Sequence, residues 1–215
     1  MIHYKLSLKN PSSHYIDVDL TITDITTPIL ELQLPSWRPG RYELGNFAKN
    51  IKRVDVVNEN GKVLNFTKKT KDLWLIETAN SKQIKVTYSY YTSEINAGNC
   101  YADETQVYVN PVHLCMYVPS RMDEQHVIEL DIADDYKIAT SLHQQHKTLT
   151  AQSFDELADS PSRHRGPSRT AASLRALCVV ARAHRRCGPH RARCVDATRV
   201  GINALARDHR PRQPD

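Results

Sequence analysis

The chain has 215 residues and a formal net charge of +5 at pH 7, which allows one ordinary domain with an extension or two very small domains. Its start lacks the apolar core of a signal peptide, no stretch approaches a membrane span, and five cysteines suggest no disulfide framework. A reduced, cytoplasmic chain without a membrane partner is therefore expected.

The charged and aromatic residues divide the chain near Pro161. Residues 162–215 hold 13 Arg, three Asp and no Lys or Glu, whereas residues 1–161 carry a net charge of −5. All 15 Phe, Trp and Tyr residues precede Pro161. A segment without aromatic residues and with few large aliphatic ones buries too little apolar surface to offset the entropy of ordering it. We therefore predict one folded domain over residues 1–161 and a poorly structured tail over residues 162–215, with at most short helices.

Apolar and polar residues alternate through most of the first 161 residues. Ile2, Tyr4 and Leu6 share one face of the first segment, and the same period of two recurs along the chain. This period is typical of strands with one buried face. Strands are predicted at 2–8, 16–22, 30–34, 54–56, 63–66, 73–78, 84–91, 127–132 and 136–140.

Turn residues separate these segments. Asn10–His14 contains Pro and Ser, and Asn58–Gly61 ends in the Asn-Gly pair typical of tight hairpins. Only Phe154–Ala158 is predicted to form a helical turn in this part of the chain. Many short strands with turns between them predict an all-β fold, an antiparallel β-sandwich.

The tail differs from the preceding residues in kind. It is rich in Arg, Ala, His and Cys, whereas the first 161 residues favour Lys, Asn, Ile and Tyr. The two groups use GC-rich and AT-rich codons respectively, so we interpret the tail as disordered or as a frameshifted or chimeric product. Its arginines would attract polyanions without sequence preference, but no nucleic-acid-binding scaffold is evident.

Two groups of residues imitate metal sites. His143 and His146 have an H-x-x-H spacing without a third ligand nearby, and Cys187, His190 and Cys194 lie in the tail without paired C-x₂₋₄-C spacing. Structural zinc sites use four ligands, usually in such pairs. A solvated loop and a chance composition are the favoured interpretations, so no metal site is predicted.

The most distinctive segment is Leu34-Pro-Ser-Trp-Arg-Pro-Gly-Arg-Tyr42. Its two prolines prevent a central strand and enforce a rigid loop, in which Trp37 and Tyr42 supply amphipathic surface. The segment resembles the "LP-x-W-x-PG-x-Y" signature of the glycyl aminopeptidase family of zinc metallopeptidases, and Asn46-Phe47-Ala48 resembles the motif that follows it there.

Further similarities to this family occur in the same order along the chain. They are Asn58–Gly61, Lys68–Trp74, Ile84–Tyr91, Tyr101–Asp103 with Asn110–Val112, Ile138–Leu142 and Phe154–Pro161, the last of which resembles the end of the family's N-terminal domain. The resemblance spans about residues 2–161.

The resemblance implies a β-sandwich that packs in cis against a thermolysin-like catalytic domain, with a PDZ domain further on. In the family, the catalytic domain binds zinc through His-Glu-x-x-His and a downstream Glu. This sequence contains no His-Glu-x-x-His. We therefore expect no catalytic residue, no metal ligand and no cofactor in this chain, which would be cut off before the catalytic domain and inactive alone.

Six residues are candidates for contacts with the substrate cleft or the catalytic domain: Trp37, Arg38, Tyr42, Asp103, Glu104 and Asn110. By analogy with related aminopeptidases, a carboxylate from this domain would pair with the substrate's ammonium group. The alternative is that the polar three are turn and strand-end residues that satisfy the backbone. The alternative function is a stand-alone β-sandwich binding module whose basic tail binds polyanions non-specifically.

Overall fold

The computed structural model describes residues 1–38, 43–94, 96 and 98–166. These residues form an all-β fold with two short helices, α1 (Pro111–Leu114) and α2 (Phe154–Ala158). Short 3-10 turns lie at Pro11–Ser13, Phe47–Asn50 and Pro119–Arg121. The strands are β1 (Ile2–Ser7), β2 (Tyr15–Ile22), β3 (Ile29–Gln33), β4 (Ile51–Asn58), β5 (Phe66–Thr70), β6 (Leu73–Glu77), β7 (Ile84–Tyr91), β8 (Tyr101–Ala102), β9 (Gln106–Val109), β10 (His126–Asp131), β11 (Lys137–Ala139), β12 (His143–Gln145), β13 (Thr148–Ala151) and β14 (Ser162–Arg165).

The strands form three sheets that enclose one core. The large sheet has the order β12-β13-β10-β1-β2-β7-β4, a four-stranded sheet has the order β11-β14-β9-β8, and a three-stranded sheet has the order β3-β6-β5. One hydrophobic cluster contains buried residues of all three sheets. The predicted β-sandwich is thus confirmed.

One pair of neighbouring strands departs from the antiparallel pattern. β1 pairs with β10 in parallel, with Ile2 opposite His126 and Leu6 opposite Leu130, whereas every other strand pair in the described residues is antiparallel. Side chains alternate between the faces of a sheet in either direction of pairing. The alternation in the sequence therefore predicts the buried face but not the direction.

Buried tyrosines connect the large sheet to the end of α1 and to the residues that directly follow it. Tyr4 donates a hydrogen bond from its hydroxyl to the Met116 carbonyl at 2.8 Å, and Tyr88 donates to the Leu114 carbonyl at 2.6 Å. The Tyr88 hydroxyl also accepts from the Met116 amide at 3.3 Å. Burial raises the pKa of both tyrosines well above the ordinary value, so both hydroxyls remain protonated donors. These bonds satisfy backbone groups that would otherwise be buried without partners.

The hairpin between β4 and β5 shows where strand prediction was wrong. The segment 63–66 was predicted to be a strand, but Val63 forms only an isolated bridge to Val57 and is 74% exposed. The strand begins at Phe66 and continues through lysines at the edge of its sheet, where Lys68 Nζ lies 4.7 Å from the centre of the Trp74 ring. Lysines suit an exposed edge strand, although they have low strand propensity.

The last described strand lies beyond Pro161, the end of the domain predicted from composition. β14 pairs with β9 and β11, and it buries Ser162 and His164 while Arg163 and Arg165 are half-buried. The composition of residues 162–215 as a whole does not reveal that buried and half-buried residues alternate in the first four of them. The remaining residues of the predicted tail, 167–215, lie outside the described part of the chain, as do Cys187, His190 and Cys194.

Neither α1 nor α2 has the length and the apolar run that a helix needs to cross a membrane, and the described residues contain no other helix that does.

Candidate interdomain surface

Backbone hydrogen bonds hold the start of the loop that follows β3 in place. Gln33 exchanges two backbone hydrogen bonds with Tyr117, at 2.8 and 2.7 Å, and the Leu34 amide donates to the Asp72 carbonyl at 2.8 Å. The Gly45 amide donates to the Ser36 carbonyl at 2.6 Å and so closes the neck of the loop. Backbone hydrogen bonds thus hold Gln33 and Leu34 to the core and bring Ser36 and Gly45 together at the neck.

Aromatic packing supports this neck from within the domain. The Phe47 ring stacks on the His113 ring with 4.0 Å between their centres, and both side chains are buried. A Cβ on Gly45 would fall 2.3 Å from the Phe47 ring, so only glycine fits there without a shift of the ring. α1 carries His113 because Asn110 and Pro111 begin a helical turn, with Pro at a position where no amide donor is needed.

Two large apolar side chains of the loop face solvent. Trp37, which directly follows Ser36, is 49% exposed, and Leu44, which directly precedes Gly45, is 71% exposed. We call these two residues and the neck that carries them the Trp37–Leu44 surface. Tyr42, which was predicted to lie in the same surface, is outside the described residues.

Arg38 lies against a second loop, which precedes β8. A Cβ on Gly98 would fall 2.3 Å from Arg38 Nη2, so the side chain crosses the backbone of this loop at close range. Arg38 Nε is buried and has no hydrogen-bond partner within the described part of the chain. Burial raises the pKa of Tyr108, and the nearby Arg38 guanidinium partly opposes that rise. Arg38 therefore joins the Trp37–Leu44 surface to the β8–β9 hairpin.

Asp103 organises the turn of this hairpin. Its Oδ1 accepts hydrogen bonds from the Thr105 amide, the Thr105 hydroxyl and the Gln106 amide, each at 2.8 Å, and its Oδ2 accepts from the Tyr101 hydroxyl at 2.9 Å. Burial alone would raise the pKa of Asp103, but these hydrogen bonds hold it below the ordinary value. Such contacts are those of a residue that satisfies the backbone of a turn.

Glu104 and Asn110 lie at opposite ends of the hairpin. Glu104 is exposed and accepts from the Ser12 hydroxyl at 2.8 Å, whereas Asn110 is buried and precedes α1. The four residues of β9 separate the two ends by about 13 Å at the usual rise per residue. The structure thus brings Trp37 and Arg38 together in one loop, but it does not gather the three polar candidates into one site.

No metal centre is formed by the described residues, in which no group of three or more His, Cys, Asp or Glu could hold a metal ion. His143 lies on the exposed edge strand β12, and His146 follows in an exposed turn with a φ of 54°. The buried histidines have other neighbours: His126 stacks on Tyr4, and His164 contacts Ser162. Zinc therefore has no ligand set in the described part of this chain.

The described residues form an all-β domain from which Trp37 and Leu44 are exposed. Comparison with protein-family models identifies the family: residues 3–163 match the Peptidase M61 N-terminal domain. The chain belongs to this family.

The chain is also similar to parts of solved structures. The chain is similar to an aminopeptidase N family protein from Idiomarina loihiensis, with a TM-score of 0.70 and 27% identity over 77% of this chain and 29% of that chain. It is also similar to an M1 zinc metallopeptidase from Deinococcus radiodurans, with a TM-score of 0.45 and 11% identity over 76% of this chain and 41% of that chain. A search of curated proteins found no match. The chain thus spans less than half the length of these two solved relatives.

Proposed function

We propose that this chain serves as the accessory N-terminal β-sandwich of a zinc-dependent aminopeptidase of the glycyl aminopeptidase type. Its role is to brace a catalytic domain in cis and to shape access to the substrate cleft. The observation that carries the proposal is the match of residues 3–163 to the M61 N-terminal domain. The similarity to an aminopeptidase N family protein, which is more than three times as long as the matched region, supports it.

The Trp37–Leu44 surface is the proposed contact with the catalytic domain. Full burial of a large apolar side chain favours association by about 1.5–3 kcal/mol, so docking of Trp37 and Leu44 is favourable. Because a hydrogen bond between Gly45 and Ser36 closes the neck and Phe47 supports it, docking need not order the neck itself. Arg38, whose Nε has no partner in the described residues, gives the same surface a cationic element for a carboxylate or carbonyl of the partner.

Peptide hydrolysis is assigned to the catalytic domain and not to this chain. The chemistry needs a zinc ion and a general base, and the sequence contains no His-Glu-x-x-His to supply them. Asp103 is committed to its turn, so it is a positioning residue of the hairpin in this proposal and not a partner of the substrate's ammonium group.

The proposal is tested with the full chain and the part of the Idiomarina loihiensis relative that this chain does not cover, mixed and studied by calorimetry. Association is expected, with hydrolysis of glycyl and alanyl p-nitroanilide by the mixture and none by the chain alone with added zinc. Trp37→Ala should weaken association about tenfold or more, because large aromatic residues dominate such interfaces. Val63→Ala removes an apolar side chain from the β4–β5 hairpin that is even more exposed, at 74%, and should leave association unchanged.

Three results would contradict the proposal. The first is turnover by the chain alone, and the second is equal weakening by Trp37→Ala and Val63→Ala. The third is the absence of any association, which would favour the alternative of a stand-alone binding module.

A further inference from the structure

A cleft of about 320 Å³ lies on the large sheet, on the face that points away from the core. In β2, Ile16 and Val18 are buried beneath the sheet, whereas Asp17 between them lines the cleft. Asp17 is opposite Ser89 of β7, and Ser89 is opposite Lys52 of β4, so one cross-strand row forms the floor. A volume of this size is at the lower end of the range for small-molecule sites.

Cations outnumber carboxylates in this cleft. Its charged lining consists of Lys9, Lys52, Arg53 and Asp17. Asp17 is already engaged, because it accepts from the Ser89 hydroxyl at 2.6 Å and lies 3.4 Å from Lys9 Nζ. Even when Asp55, which pairs with Arg53 at 2.7 Å, is counted, there are three cations and two carboxylates. Residues 1–161 as a whole carry a net charge of −5, so the positive cleft does not follow from composition.

Lys52 is the cation most available to a ligand. Its Nζ lies 5.1 Å from the centre of the Tyr15 ring, and it forms no salt bridge with any carboxylate of the described residues. Tyr15 in turn lies beside Tyr91, with 5.1 Å between the ring centres, and Tyr91 is 39% exposed. The cleft thus combines an accessible ammonium group with the ring of Tyr15, while Tyr91, tilted by 48° to that ring, flanks Tyr15 outside the cleft lining.

A β-bulge directs two neighbouring side chains of β4 into the same cleft. In a regular strand, Lys52 and Arg53 would point to opposite faces, but the register shifts between Lys52 and Val54 and both residues line the cleft. Arg53 has a φ of 52°, a conformation that costs a non-glycine residue about 1–2 kcal/mol. Glycine would adopt this conformation without the cost, so the guanidinium is placed here despite local strain.

We propose that this cleft binds a small aromatic oxyanion, a compound that carries a phosphate or carboxylate group on a planar ring. The acid group lies between Lys52 and Arg53, and the ring packs against Tyr15. The site is separate from the Trp37–Leu44 surface and does not depend on the function proposed above.

The experiment uses the full chain in phosphate-free buffer at constant ionic strength, with binding measured by calorimetry. Phenyl phosphate and benzoate are the two probes, which distinguish a phosphate ligand from a carboxylate ligand, and benzylamine is the cationic control. At least one anionic probe should bind with a millimolar dissociation constant or better, and benzylamine should not bind. The Arg-rich segment is present in every sample, so its non-specific contribution cancels between the wild type and the variants.

Two variants and a matched control locate the binding. Lys52→Ala and Arg53→Gly should each weaken binding about fivefold, as expected for loss of one exposed charge contact. Arg53→Gly keeps the bulge, because glycine tolerates its φ, so weaker binding does not reflect misfolding. Lys68→Ala removes a comparable cation from the Trp74 ring in the three-stranded sheet and should have no effect.

The proposal is overturned if neither anionic probe binds the wild type, or if benzylamine binds equally well. It is also overturned if either cleft variant keeps full affinity, or if Lys68→Ala weakens binding as much as they do.

Discussion

Acidification should destabilise the sandwich through one histidine of β14. His164 is fully buried between the large and the four-stranded sheets, beside Leu6, Ile16 and Val107. Its Nε2 contacts the Ser162 hydroxyl at 3.0 Å, and its Nδ1 has no hydrogen-bond partner in the described residues. Burial lowers its pKa to about 4, because an apolar environment disfavours the charged imidazolium.

The sign and size of the effect follow from this pKa. The folded chain holds His164 neutral down to about pH 4, whereas the unfolded chain protonates it from about pH 6.5, so the unfolded state binds more protons between these values. The contribution of neutral His164 to the unfolding free energy is therefore fully present above about pH 6.5, and it is lost as the pH falls towards 4. The loss amounts to about 2 kcal/mol at pH 5 and about 3 kcal/mol below pH 4, a large part of a typical unfolding free energy.

Urea unfolding at pH 7.5 and pH 5, followed by the fluorescence of the buried Trp74, measures this loss. In His164→Leu the difference between the two pH values should shrink by about 2 kcal/mol, because the titrating group is gone. The substitution also removes the hydrogen-bond partner of Ser162, which changes the unfolding free energy at every pH. Only the difference between the two pH values therefore reports the titration of His164. His143→Leu removes an exposed histidine from β12 and should keep the wild-type difference. Equal pH dependence in the wild type and His164→Leu would refute the reasoning.

Three further outcomes are expected. Tyr88→Phe should lower the unfolding free energy by about 1–3 kcal/mol in urea titrations, because two buried backbone groups lose their partner. Gly61→Ala should cost about 1 kcal/mol in the same assay, because Gly61 has a φ of 74°. Cys100 and Cys115 should resist iodoacetamide at pH 7.5 in the native chain and react in urea, as followed by peptide mass mapping. Both thiols are fully buried, and burial raises the pKa of Cys100 to about 12, so little reactive thiolate is present.

Each of these outcomes has a control. Tyr91→Phe changes an exposed hydroxyl and should cost less than Tyr88→Phe; equal costs would contradict the assigned hydrogen bonds. Gly61→Asn should cost less than Gly61→Ala, because Asn tolerates a positive φ, and the reverse order would mean that the backbone conformation is not the cause. Rapid alkylation of either Cys100 or Cys115 in the native chain would show that the core opens easily.

The long strands could be predicted because their burial imposes a strict period. The predicted segment 84–91 coincides with β7, and the predicted helical turn at Phe154–Ala158 coincides with α2. The short strand β12 was missed because all three of its residues face solvent, so no alternation marks them. The direction of the β1–β10 pair was not predictable, since it depends on contacts between distant segments.

The candidate surface was predictable only in part. The prolines and Trp37 indicated a rigid loop with exposed aromatic surface, and the exposure of Trp37 agrees with that. The stack of Phe47 on His113 beneath the loop was missed, although Asn110-Pro111 is a recognisable start of a helical turn. The basic cleft was missed because it depends on a bulge that turns Arg53 to the same side as Lys52, which local sequence does not show.

The parallel pairing of β1 with β10 affects how the protein is made. During vectorial synthesis on the ribosome, β1 can join β2 early, but about 120 residues separate Ser7 from His126. At ordinary elongation rates the nascent chain needs roughly 6–24 s to deliver β10, during which the other side of β1 offers unpaired amides and carbonyls. The β1–β10 pair in the middle of the large sheet therefore forms late. Nascent chains that stall before residue 131 are the ones in which β1 is most exposed to pairing with the wrong strand.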